Sequence, residues 1–103
     1  MDWVSMSDNA IIEELGKRIK EYRLKKRYTQ QNLADRAGIS AFSISKIEKG
    51  QPVSISIIIP VLRVLRLLDN LEMLLPAIGI SPIEALKLKG KTPQRIKTPK
   101  SNY

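Results

Sequence analysis

Cysteine and histidine are both absent from the chain. That excludes disulfides, thiol nucleophiles, imidazole bases and Cys/His zinc sites together. A membrane-spanning run is missing too. The most apolar stretch, Ile55 to Leu68, is broken by Pro60, Arg63 and Arg66 and is too short and too charged to cross a bilayer. The N-terminus, MDWVSMSDNA, is acidic and lacks a basic-then-apolar pattern, so no export is expected. The absence of cysteine leaves the compartment open, and the expected location is cytoplasmic. Acidic residues are few, ten against eighteen Lys and Arg, and scattered. No pair of them sits with a nucleophile, a metal ligand or a phosphate-binding glycine loop, and the serines lack a base. No enzyme, catalytic residue, metal site or cofactor is expected.

What is present is positive charge. The chain of 103 residues carries a net +8, with a pI near 10. This favours an acidic partner, nucleic acid or an anionic membrane surface; the alternative is a merely soluble cationic protein, and charge alone does not decide between them. The charge is clustered. Seven basic residues fall within Lys17 to Arg27, and six more, with no acid among them, within Lys87 to Lys100.

The apolar residues follow helical periods. Ser7-Asp8-Asn9 offers caps to AIIEELGKRIKEYRLKKR, where Ile12, Leu15, Ile19 and Tyr22 mark one face. Thr29 caps a short helix through Ala37, which Gly38 ends. Ser40 caps the next, with Ile44 and Ile47 inward and a stop at Gly50. A fourth pattern runs from Ser54 or Ser56 to about Leu68, beginning close to Ser56 or bending at Pro60. DNLEMLLP adds one or two helical turns ended by Pro76. SPIEALKLKG has Ser81 as N-cap, Pro82 at the first position, Glu84 closing a capping box and Gly90 after the end. KTPQRIKTPKSNY reads as a disordered basic tail. The domain organisation is therefore an N-terminal arm over 1–9, a helical domain over 10–76, a short helix over 77–90 and a tail over 91–103. No strand is expected.

The two short helices carry the chemistry. Counting from Gln30 as the first position, Ala34 is fifth, Gly38 ninth, Ile44 fifteenth and Ile47 eighteenth. A small residue at the crossing, a glycine in the turn and apolar locks behind form the helix-turn-helix pattern, whose second helix enters the DNA major groove.

RLKKRYTQQNLADRAGISAFSISKIEKG resembles the helix-turn-helix family of the phage lambda and Cro repressors, the XRE family, over roughly Leu15 to Leu68. Arg23, Thr29-Gln30, Leu33-Ala34, Gly38-Ile39-Ser40, Ile44-Ser45, Ile47-Glu48 and Gly50 stand where that family has them. The resemblance implies an all-α bundle of about five helices that binds double-stranded DNA at palindromic operators as a homodimer. VSISIIIPVLRVLRLLDNLEMLLP through SPIEALKLKGK is similar, less specifically, to HipB-like antitoxins encoded beside HipA-like kinase toxins. By resemblance, Ser40, Ala41, Phe42, Ser43 and Lys46 are the base-reading set. Thr29, Gln30, Arg23, Lys25 and Lys49 face phosphates, and Arg23 with Glu48 forms a structural pair. Leu65, Leu68 and Leu71 make the dimer interface.

The sequence departs from better-known repressors in having Ala41 and Phe42 where they often carry glutamines. Alanine and phenylalanine touch thymine methyls rather than hydrogen-bond adenine, leaving guanine to Lys46 and either base edge to Ser43. The operator is not transferable from relatives. Phe42 is also weighed as a dimer contact, and Trp3 as packing on the bundle or across a dimer. The basic tail either adds DNA affinity, docks on an acidic partner or only solubilises. The favoured function is a DNA-binding autorepressor that is the antitoxin of a HipA-like kinase. The alternatives are a stand-alone phage-type or chromosomal repressor and a protein-binding adaptor on the same fold.

Overall fold

The structure, a computed structural model, describes residues 1–79. The capped helix expected at Ser81–Gly90 and the tail lie outside the described residues. The chain divides into two units, Met1–Leu68 and Asp69–Tyr103.

The first unit opens with a 3-10 turn, Trp3–Ser5, followed by four helices: α1 (Asp8–Lys25), α2 (Gln30–Ala37), α3 (Ala41–Glu48) and α4 (Ile55–Val64). Side-chain caps start the first three. Ser7 Oγ accepts from Ala10 N at 3.1 Å, Thr29 Oγ1 from Asn32 N at 3.0 Å and Ser40 Oγ from Ser43 N at 3.1 Å. Asn32 returns the bond to Thr29 N, closing a capping box.

All four helices end alike. A backbone N–H two or three residues past the last helical residue bonds back across five residues: Tyr28 to Arg23, Ile39 to Ala34, Gln51 to Lys46 and Leu67 to Leu62. Each closure needs one left-handed residue. Gly38 and Gly50 supply it cheaply at φ 73° and 77°, whereas Arg27 and Arg66 hold φ 61° and 63°. Arg66 is the reason α4 stops at Val64 and not near Leu68 as expected. The helix begins at Ile55 with Ser54 before it, and Pro60 lies inside it. The missing proline N–H leaves the Ser56 carbonyl without its i+4 donor, at a residue exposed to water.

The core consists of Ile19, Leu33, Ala34, Ile44, Ile47, Val61 and Leu65. It draws on all four helices, with Leu33, Ile44 and Val61 fully enclosed. Truncating one such side chain to alanine costs about 2–5 kcal/mol. Two expectations need correction here. The buried face of α1 is Gly16, Ile19 and Arg23, while Leu15 and Tyr22 are 49% and 42% exposed. A shift of one residue turns a helix face by about 100°, enough to move Leu15 outward. Leu65, expected at a dimer interface, is 2% exposed and belongs to the core of its own chain.

Trp3 packs on its own chain, with the Arg18 guanidinium 4.8 Å from its ring centre. In the second unit the described part, 69–79, contains α5 (Leu71–Leu74), followed by Pro76. No strand occurs among the described residues, and no helix there is long and apolar enough to cross a membrane.

Candidate nucleic-acid interface

Helices α2 and α3, joined through the turn at Gly38, pack on each other, and α3 also packs against α1. Three contacts seat α3 on α1. A Cβ on Gly16 would stand 2.1 Å from the Ile47 carbonyl oxygen, so the backbones meet where only glycine fits. Just past the same end of α3, Gly50 lies against Glu13; a Cβ there would stand 3.0 Å from the Glu13 Cα.

The third contact is ionic. Arg23 donates from Nε to Glu48 Oε2 at 2.7 Å and from Nη2 to Glu48 Oε1 at 3.0 Å. Its Nη1 donates to the Tyr28 carbonyl at 2.8 Å. Gln30 Nε2 adds a bond to Glu48 Oε1 at 3.0 Å, tying the start of α2 to the same carboxylate. The Arg23 and Glu48 side chains are 8% and 4% exposed. A buried pair whose polar atoms are met in this way fixes geometry more than it stabilises.

This changes two expected roles. Arg23 is enclosed, with donors on all three guanidinium nitrogens engaged, so it does not reach a phosphate. Gln30 has one amide hydrogen committed to Glu48, and its contribution at the α2 start is principally its backbone N–H. That group and the N–H of Gln31 point out of the first turn without intrahelical acceptors. Thr29 is exposed beside them, although its hydroxyl already caps α2. Lys25 and Lys49 are exposed.

On α3, Ile44 and Ile47 turn inward and Phe42, Lys46 and Lys49 occupy the opposite face at four- and three-residue steps. Phe42 is 73% exposed, an unusual position for the only phenylalanine in the chain. The Lys46 ammonium lies 6.0 Å from its ring centre. Ser43 is half-buried, and its hydroxyl lies 3.1 Å from that of Ser40. Ala41 is half-buried and packs against the core, so its methyl is not free to read a base.

Sequence reasoning missed Gly16 and the Gln30–Glu48 bond. For Gly16 a signal existed: a glycine in the middle of an amphipathic helix, unfavourable by propensity, marks a close approach.

Residues 19–68 match the family model of the helix-turn-helix. The matched span begins at Ile19, in the core of α1, and ends where the first unit ends. Over that span the chain is similar to the helix-turn-helix family. The class it supports is a DNA-binding transcription regulator. No curated protein matches the chain.

Proposed function

We propose that the chain is a sequence-specific repressor that inserts α3 into the major groove of double-stranded DNA and works as a homodimer on a palindromic operator. The observation that carries this reading is the outward face of exposed Phe42, half-buried Lys46 and exposed Lys49, on a helix held at three points to α1. Such a helix presents side chains to base edges without a prior ordering cost. Phe42, Ser43, Lys46 and the cap Ser40 are the base-facing set. Lys25, Lys49, Thr29 and the first backbone N–H groups of α2 hold phosphates on either side. Dimerisation uses Leu68 and Leu71.

The finer reading is that this repressor is the antitoxin and autorepressor of a HipA-like kinase toxin. Its support is the likeness of the segment from Val53 onward to HipB-like antitoxins, together with the exposed apolar side chains Met73, Leu74 and Leu75 in and after α5. Selecting bound fragments from the native genome tests both levels. Enrichment of a palindrome beside a HipA-like reading frame supports the antitoxin. A palindrome without one leaves a stand-alone repressor, and no enrichment rejects sequence-specific binding.

A further inference from the structure

We propose that Phe42 makes α3 a reader of the pyrimidine 5-methyl group: in each half-site its ring packs on one thymine methyl, beside a guanine taken by Lys46. This rests on the DNA-binding reading above and deepens it by naming what α3 recognises.

The hydrogen-bonding capacity of the exposed face is small. Ser40 and Ser43 hydroxyls lie 3.1 Å apart, so one donates to the other and the two together keep a single free O–H. Ser40 Oγ also accepts the Ser43 backbone N–H that starts the helix. Ala41 is turned toward the core. No glutamine or asparagine lies within α3, so the bidentate reading of adenine is absent from this helix, and Lys46 is its one basic side chain for guanine. Discrimination then falls chiefly to a bare ring and an ammonium, with that one free hydroxyl beside them.

The ring suits one feature of the major groove. Thymine alone among the four ordinary bases carries an apolar group there, the C5 methyl. Phe42 stands one residue after the helix begins, on the first turn that meets base edges. Its apolar surface is uncovered in the free protein, and burial against a methyl removes that surface from water. Lys46, one turn further on and 6.0 Å from the ring, holds its charge over the aromatic face. The cation and the ring therefore reach the groove as a unit, with the guanine O6 and N7 acceptors next to the methyl.

The test uses an operator fragment obtained by selection from the native genome, in which each thymine is replaced in turn by deoxyuridine. That exchange keeps every hydrogen-bonding edge and removes only the methyl. One thymine per half-site should weaken binding about fourfold when replaced, and the two together about fifteenfold. Phe42→Ala should bind the thymine and uracil operators equally. Because Phe42 is outside the core, the variant should melt with the parent protein. Lys46→Ala should bind more weakly yet keep the thymine preference. Equal binding of all substituted operators by the unaltered protein overturns the inference while the DNA-binding reading stands, as does a methyl preference that survives Phe42→Ala. Failure to select any fragment removes both.

Discussion

The Arg23 guanidinium grips the Glu48 carboxylate through two hydrogen bonds of 2.7 and 3.0 Å, across 25 residues of chain and almost out of contact with water. Because Gln30 bonds the same carboxylate, one acidic side chain holds the end of α3 to both α1 and the start of α2. Removing one partner strands the other charge. Glu48→Ala or Arg23→Ala should lower stability by about 3–5 kcal/mol in denaturant titration. The double change Arg23→Met/Glu48→Leu should recover most of it. If operator affinity stays low in the recovered protein, the pair orients α3; full affinity would show that it does not.

Gly16 gives a prediction opposite to helix propensity. Alanine is about 1 kcal/mol better than glycine in a helix interior, yet its Cβ would stand 2.1 Å from the Ile47 carbonyl oxygen. Backbone cannot swing aside like a side chain, so Gly16→Ala should destabilise by about 1–3 kcal/mol and weaken operator binding further by tilting α3. A melting temperature equal to or above that of the parent would mean that α1 and α3 are not in this contact.

The lysines Lys25, Lys46 and Lys49 should separate by salt dependence. Lys46→Ala should cost about 1–3 kcal/mol on the operator, relax its specificity and leave the slope of affinity against salt nearly unchanged. Lys25→Ala and Lys49→Ala should weaken operator and random DNA alike and reduce that slope by about one each. Fluorescence anisotropy over a salt series distinguishes the two patterns. Equal losses on both DNAs for Lys46→Ala would place it on the phosphates.

Leucines that look equivalent in sequence should behave differently. Leu65 is enclosed, so Leu65→Asp should unfold the chain. Leu68→Asp and Leu71→Asp, at partly exposed positions, should give folded monomers in sedimentation. A stable dimer in both would place the dimer contact elsewhere.

The contrast between Leu65 and Leu68 shows how far the sequence could be read. Local rules were legible: Ser7, Thr29 and Ser40 as caps, Gly38 and Gly50 as stops, Ile44 and Ile47 as inward residues. Each depends on neighbours within a turn or two. The end of α4 was hidden because Arg66 adopts a backbone form that glycine usually signals. The buried face of α1 was read one residue out of phase, since Leu15 looks more apolar than the Gly16 beside it. The outward face of α3 could be anticipated from the period of Ile44 and Ile47. The engagement of Arg23 on all three nitrogens, and of the serine hydroxyls with each other, could not, because both depend on side-chain geometry that spacing does not encode.

The central claim is that α3 reads DNA from the major groove, and methylation interference on the selected operator tests it most directly. Methyl groups on guanine N7 project into the major groove, and those on adenine N3 into the minor. Guanine methylation should block binding at two positions about one helical turn, or a multiple of it, apart. Lys46→Ala should lose that guanine effect. Interference from adenine N3 alone, with guanine N7 methylation tolerated throughout, would contradict the account.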